Sequence, residues 1–279
     1  MKLLRYGPKG REKPGLLDSD GKIRDLSGIV DDITPEVIAK QLGKLKRTAV
    51  SKLPLVKGRP RLGVPVAGFQ KLLCIGLNYT DHAEETNNPI PKEPVLFTKT
   101  MNALNGPNDN VELVKGSKKT DWEVELCIVV GKRAKHITKR EAMDYIAGYT
   151  IMNDVSEREW QIERGGQWVK GKACDGYAPI GPWFVTKDEI DNIKKLDLWL
   201  DVNGERQQTG STSKMIFDVG HIVWYLSKTM TLEPGDIIAT GTPPGVGMGQ
   251  KPPRYVKAGD VMSLGITGLG EQKQKVVKG

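Results

Sequence analysis

Residues 121–130 read Asp-Trp-Glu-Val-Glu-Leu-Cys-Ile-Val-Val, an alternation of acids and apolar residues that passes directly into an unbroken apolar run. Successive side chains of a strand point to opposite faces. The pattern therefore predicts a strand over Trp122 to Val130. Asp121, Glu123 and Glu125 would share one face, with Trp122, Val124 and Leu126 packed on the other. The continuation from Cys127 to Val130 predicts burial on both sides. Like charges gathered at the mouth of a core strand repel unless a cation sits among them, and nothing basic lies within the run. A divalent ion would remove that penalty, and an all-carboxylate set suits a hard ion: Mg²⁺, Mn²⁺ or Ca²⁺. The alternative left open by the pattern alone is a solvent-facing edge strand with its acids outward.

A second acid ends another strand. Tyr149 to Met152 is apolar and leads into Asn153-Asp154. Glu123, Glu125 and Asp154, if they meet, would leave open positions on an octahedral ion for a chelating substrate. Ser156, with Glu159 three residues on, has the spacing of a helix-opening capping box. Of three histidines, His136 in a basic turn and His221 on an amphipathic helix read as structural. His82 follows the apolar strand Leu72 to Leu77 and stands three residues before Glu85, a spacing that lets a carboxylate orient an imidazole for general-base work. Lys172, flanked by small residues in Gly171-Lys172-Ala173, could stabilise an enolate. Thr240-Gly241-Thr242-Pro243 offers amides and hydroxyls that could hold a carboxylate, and lacks the ending of a phosphate-binding P-loop.

The rest of the chain punctuates into short strands. Lys2 to Tyr6, Gly15 to Leu17 and Pro94 to Lys99 are strand candidates. Asn203-Gly204 between Leu196–Val202 and Glu205–Gln208 signals a hairpin. Thr34-Pro35 opens a helix with a cap and Pro at its first position, Thr138 to Tyr145 reads as a helix, and so does Gly220 to Met230. Strands at short spacing, without regular strand–helix alternation, predict a β-rich sandwich or roll over a parallel sheet.

The chain of 279 residues carries a net charge of +8, and residues 1–70 alone hold 15 Lys and Arg against 7 Asp and Glu. The whole excess therefore sits in the first quarter. The Pro-, Gly-, Lys- and Arg-rich stretch Pro54 to Pro65 reads as a surface linker, which places a boundary near residue 70. The basic residues are scattered, with no aromatics interleaved to stack on bases, so a solvated face is favoured over a nucleic-acid footprint. No apolar run is long enough for a transmembrane helix, and the first residues lack the core of a signal peptide. Three cysteines without CxxC spacing fit free thiols in a reducing cytoplasm.

In order along the chain, Ile75-Gly76-Leu77-Asn78-Tyr79 with Asp81-His82 and Glu85, Asp121 to Leu126, Gly148-Tyr149 through Asn153-Asp154-Val155-Ser156 and Arg158, Gly171-Lys172 with Asp175, and Pro234-Gly235-Asp236 running into Thr240-Gly241-Thr242-Pro243 resemble the fumarylacetoacetate hydrolase family. The resemblance covers residues 71 to about 268. Within the family the extended Gly245-Val246-Gly247 and Lys251-Pro252-Pro253 stretch is most similar to bacterial 2,4-diketo-3-deoxy-L-rhamnonate hydrolases, whose relatives are often labelled ureidoglycolate lyases. It implies a β-rich α+β fold: a mixed β-sandwich roll over 71–279 with a small basic N-terminal α+β domain over 1–70, assembled as a homodimer. It implies Mg²⁺, with Mn²⁺ or Ca²⁺ as substitutes, on Glu123, Glu125 and Asp154. His82 and Glu85 would activate water from a lid, and Lys172 would stabilise an enolate. Arg158, Gln161, Gly241 and Thr242 would contact the substrate. One departure is Leu77, where acylpyruvase-like and oxaloacetate-decarboxylase-like members carry Arg; it counts against small dicarboxylate substrates.

Residues and resemblance together lead to the expectation of a metal-dependent hydrolase that cleaves a C–C bond in a 2,4-diketo acid, with no membrane or nucleic-acid partner. Ureidoglycolate lyase and oxaloacetate tautomerase or decarboxylase chemistry would use the same metal site. A non-enzymatic nucleic-acid binder acting through residues 1–70 is the remote alternative.

Overall fold

The fully buried strand at the centre of the molecule is the one that the acid-and-apolar alternation announces. The computed structural model describes residues 1–81 and 89–279. Its strands are, in the first half, β1 (Lys2–Tyr6), β2 (Lys13–Leu17), β3 (Ile23–Asp25), β4 (Leu62–Gly63), β5 (Leu72–Gly76), β6 (Val95–Lys99), β7 (Leu104–Asn105), β8 (Val111–Glu112) and β9 (Thr120–Asp121). There follow β10 (Val124–Val130), β11 (Ile146–Asn153), β12 (Ser156–Glu157), β13 (Ala178–Thr186), β14 (Asp197–Val202), β15 (Glu205–Ser211), β16 (Ile237–Ala239), β17 (Val261–Ile266) and β18 (Gly270–Val277). The helices are short: α1 (Pro35–Lys40), α2 (Leu42–Lys46), α3 (Val169–Lys172) and α4 (Val219–Ser227).

The large sheet runs β3-β2-β1-β13-β11-β10-β16-β5-β6, with β4 on β1 and β7 on β13. A five-stranded sheet runs β15-β14-β17-β18-β8. Pairing is mainly antiparallel; β16–β5, β13–β7 and β18–β8 are the parallel pairs among the described residues. This is the β-rich roll expected, with far less parallel sheet than the strand spacing suggested.

β10 shows why the roll holds. Val124, Leu126, Ile128 and Val130 face a core shared with Leu198, Leu200, Met262 and Leu264 of the second sheet. Cys127 and Val129 face the opposite core, shared with Leu3, Leu72, Met152 and Phe184. Each fully buried Leu or Ile contributes roughly 1.5–3 kcal/mol from its removal from water, so a one-residue slip of β10 would put acids where both layers pack.

Residues 1–70 bring β1, β2 and β3 to the edge of the large sheet. β1 pairs with β13 through Lys2–Val185 and Leu3–Phe184. The expected linker is stitched down: Leu62–Gly63 pairs with β1, and Arg61 is bound to Glu12 and Asp109. Thr34 caps α1, its hydroxyl accepting from the Val37 amide, with Pro35 next. Asn203 and Gly204 take positive φ of 55° and 81°, as the hairpin signal requires.

Two helix expectations fail. Thr138 and Glu141 form a cap, the Glu141 carboxylate accepting from the Thr138 amide and hydroxyl. Only the short turn Ala142–Tyr145 follows, because Ile146 already begins β11. Ser156 starts no helix: it pairs with Asp121, and its hydroxyl donates to the Asp154 carbonyl. The turn after it is π-helical over Glu159–Glu163, and the Glu157 carboxylate, rather than Ser156, takes its free Trp160 amide.

All three cysteines are free. His221, half-buried, packs between Phe217 and Trp224 at ring distances of 5.0 and 5.2 Å. No described helix is long and apolar enough to cross a membrane.

Candidate metal centre

The site grows out of one strand register. Glu125 lies across from Met152 and Val124 across from Asn153 in the β10–β11 pair, so Glu123 falls opposite Asp154. The Asp154 amide donates to the Glu123 carbonyl at 2.8 Å, extending the ladder past the strand end. Glu125 shares its face of β10 with Cys127 and Val129, which enter the core. The acids therefore begin where water is already excluded.

One carboxylate oxygen from each of Glu123, Glu125 and Asp154 lies within 4.8 Å of the other two. Their exposures are 6, 2 and 0 %, which rules out the solvent-facing edge strand. Asp121, expected on the same face, does not join them. The strand is interrupted at Trp122 and Glu123, between β9 and β10, and the Asp121 carboxylate turns to the amides of Trp122, Gly247 and Met248 and to Arg158.

The cations absent from the run arrive from elsewhere in the chain. Glu123 receives Arg158 on one oxygen at 2.6 Å and Lys172 on the other at 2.7 Å. Asp154 receives Lys99 on one oxygen at 2.6 Å and Lys172 on the other at 2.9 Å. Glu125 has no ion pair among the described residues; its Oε2 accepts from the Gly241 amide at 2.8 Å. Counting Asp121, four carboxylates meet three cations, and the surplus negative charge falls on Glu125.

Titration behaviour follows from that count. Burial alone would raise the Glu123 carboxyl, but the Lys172 and Arg158 charges hold it down at about 2. Burial, then the Asp154 and Glu123 charges, push the Glu125 carboxyl well above the usual range. Burial would lower the Lys172 ammonium, but Asp154 and Glu123 outweigh it and keep the amine protonated. Three convergent hard oxygen donors carrying one uncompensated negative charge fit a divalent cation such as Mg²⁺ or Mn²⁺.

Lys172 closes α3 with its side chain buried. Arg158 also donates to the side-chain Oε1 of Gln161 at 3.0 Å, so both expected substrate contacts line the cleft with these polar atoms already engaged. Gly241 and Thr242 line it too. The Thr242 hydroxyl donates to the Val124 carbonyl and accepts from Gln208. Gly241 has φ of +95°, and a Cβ there would stand 2.9 Å from Cβ of Asn78, so only glycine brings that amide to Glu125. His82 and Glu85 lie outside the described residues.

Sequence reasoning missed Lys99, a residue 1 % exposed whose ammonium also donates to the Val155 carbonyl at 2.9 Å. A lysine that ends an apolar strand gives no sign that it is buried. It also missed the Asp121–Arg158 pair, because i and i+37 carry no spacing rule, and the Trp168–Phe97 wall of the cleft. Tyr79, in the Asn-Tyr motif, is fully buried and its hydroxyl has no hydrogen-bond partner among the described residues.

The model for the C-terminal region of fumarylacetoacetate hydrolase matches residues 71–277. A protein of Burkholderia multivorans, named only as a hydrolase, is 57 % identical over 276 residues, 98 % of each chain. The fumarylacetoacetate hydrolase structure from Exiguobacterium antarcticum is 36 % identical, with a TM-score of 0.89 and full coverage of both chains. The structure of maleylpyruvate hydrolase from Sphingobium sp. SYK-6 in complex with manganese(II) and pyruvate is 29 % identical, with a TM-score of 0.83 and full coverage of both chains. By family match, by relatives and by fold, the chain belongs to the fumarylacetoacetate hydrolase family.

Proposed function

We propose that this protein is a divalent-metal-dependent hydrolase that cleaves a C–C bond in a 2,4-diketo acid of the acylpyruvate type. The observation that carries the reading is the convergence of Glu123, Glu125 and Asp154 within 4.8 Å, with Glu123, Glu125 and Lys172 lining one cleft. Manganese and pyruvate in the maleylpyruvate hydrolase complex support the same ligand chemistry. Bound on the three carboxylates, Mg²⁺ or Mn²⁺ would supply a Lewis acid for the oxygens of a 2-oxo acid.

The chain's own residues do the rest. Lys172 stays protonated against Glu123 and Asp154, and its ammonium stabilises the negative charge of the departing enolate. Arg158 holds the Glu123 oxygen that Lys172 does not. His82, three residues before Glu85 in the sequence, takes a proton from water. The resulting hydroxide adds to the distal carbonyl carbon, whose bond to the CH₂ carbon breaks. The acyl group leaves as a carboxylic acid, and the CH₂ carbon keeps the electron pair, takes a proton and becomes the methyl of pyruvate. One water is consumed. The protein acts as a homodimer in this reading, with Gln161, Gly241 and Thr242 bordering the substrate.

Glu125→Ala and His82→Ala, assayed separately for pyruvate release with Mn²⁺ present, test the assignment. Each should lose at least about 100-fold in kcat, the range for a positioned general base or an electrostatic stabiliser. Cleavage at the wild-type rate by either variant sinks it.

A further inference from the structure

Resting on that reading, we infer that Gln208 of β15 is a positioning residue for the metal centre. Its side-chain amide holds both the backbone between Glu123 and Glu125 and the loop that meets the Glu125 carboxylate.

The need for it arises where β10 loses a neighbour. Toward β16, the Val130 amide donates to the Asp236 carbonyl at 2.9 Å, and the Leu126 carbonyl accepts from the Thr240 amide at 3.0 Å. Val124, two residues before Leu126, is next in that series. By then β16 has ended at Ala239, and the chain continues through Gly241 and Thr242, which line the cleft. Side chains take over the ladder. Gln208 Oε1 accepts from the Val124 amide at 2.9 Å, and the Thr242 hydroxyl donates to the Val124 carbonyl at 3.0 Å. In a fully buried strand, leaving these backbone groups unpaired would be costly.

The same amide reaches the second support of Glu125. Gln208 Nε2 donates to the Thr242 hydroxyl and to the Pro243 carbonyl, each at 2.8 Å. The Gly241 amide, just before them, donates to Glu125 Oε2. β15 and this loop touch closely: a Cβ on Gly210 would stand 2.3 Å from Cβ of Pro243, and one on Gly245 1.9 Å from the Gln207 carbonyl oxygen. Gln208 is the one buried residue of its strand. Glu123 is held in a similar way. Its amide donates to Asn153 Oδ1 at 3.1 Å, and Asn153 Nδ2 donates to Gln274 Oε1 of β18 at 3.0 Å. The five-stranded sheet thus reaches, through buried amides, the backbone from which two of the three acids project. Hydrogen-bond partners that orient metal ligands are typically worth about 10–100-fold in metal affinity.

Mn²⁺ affinity, measured by calorimetry on folded protein, is the readout, with pyruvate release beside it. Gln208→Met keeps an unbranched side chain and removes the amide; it should bind Mn²⁺ about tenfold more weakly. Thr212→Val controls for lost stability alone. The Thr212 hydroxyl accepts from the Leu196 amide at 2.9 Å and does not line the cleft, so this variant should bind Mn²⁺ as the wild type does. If Gln208→Met does not fold, Thr242→Val removes a hydroxyl from the same hydrogen-bonded set; it should bind Mn²⁺ more weakly, and Thr242→Ser should restore the affinity. Wild-type affinity in folded Gln208→Met, or in Thr242→Val where Gln208→Met does not fold, overturns the assignment. An equal loss in Thr212→Val overturns it too. Wild-type protein that binds Mn²⁺ and releases no pyruvate from acylpyruvates leaves the role of Gln208 standing and overturns the reaction. Wild-type protein that binds no Mn²⁺ overturns both.

Discussion

The Glu125 carboxylate meets the Gly241 amide at 2.8 Å and, among the described residues, no cation. Its neighbours Glu123 and Asp154 each hold two cations, one per oxygen. Glu125 is therefore the member of the cluster whose charge the protein leaves for something else to neutralise. In chelator-treated protein, Glu125→Gln should be as stable as the wild type or more so, because an amide carries none of the cost that burial and the Asp154 and Glu123 charges impose on ionising this carboxyl. The same variant should lose the rise in Tm that Mn²⁺ gives the wild type; at 100 times Kd that rise reflects about 2.7 kcal/mol. Thermal melts with and without Mn²⁺ decide both points.

Lys99 makes the opposite case. Its fully buried ammonium pairs with Asp154 at 2.6 Å, and removing one partner of a buried pair typically costs about 3–5 kcal/mol. Lys99→Met should show that loss in urea unfolding, and Lys99→Met with Asp154→Asn should recover much of it. An additive double variant would mean that the two side chains do not depend on each other.

Gly241→Ala should lower stability by about 2 kcal/mol, since positive φ and the nearby Asn78 side chain both oppose a Cβ. For a chain of this size that corresponds to a Tm drop of about 4–8 °C. Differential scanning calorimetry checks it. An unchanged Tm would mean that the Gly241 turn readjusts freely.

At the edge formed by the N-terminal strands, Arg61 binds Glu12 at 2.8 Å and Asp109 at 2.6 Å. Burial would raise the Glu12 carboxyl, but Arg61 and, more weakly, Arg5 hold it below the usual range. A carboxyl whose pKa is depressed by folding contributes stability above its unfolded pKa, near 4, and loses it as pH falls through the folded value. Arg61→Ala should therefore cost about 1 kcal/mol at pH 6, and the gap to the wild type should close as pH drops from 5 toward 3. Urea midpoints across that range measure it.

How much of this was legible beforehand depended on whether the information was local. β10, β11 and the Asn203–Gly204 hairpin are written in period-two alternation and turn chemistry, and they stand where the residues placed them. Glu123, Glu125 and Asp154 were singled out because three acids on core strands need a reason. Lys172 and Arg158 were singled out too, but Lys99 was not, and no pairing of a cation with an acid was legible: Lys99, Arg158 and Lys172 reach the acids only through the roll, across 55, 35 and 49 residues. Asp121 was misread for the same reason. Alternation assumes an unbroken strand, and the competing amides of Gly247 and Met248 lie more than 120 residues away. Ser156 had a capping spacing, but β9 offered its backbone a partner first.

Pyruvate release from an alkanoylpyruvate by chelator-stripped protein, before and after Mn²⁺ is restored, tests the central claim most directly. The account predicts no release from the stripped protein, recovery with one equivalent of Mn²⁺ per chain, and no recovery in Glu125→Ala. Release at the same rate without metal, or full recovery in Glu125→Ala, would contradict it.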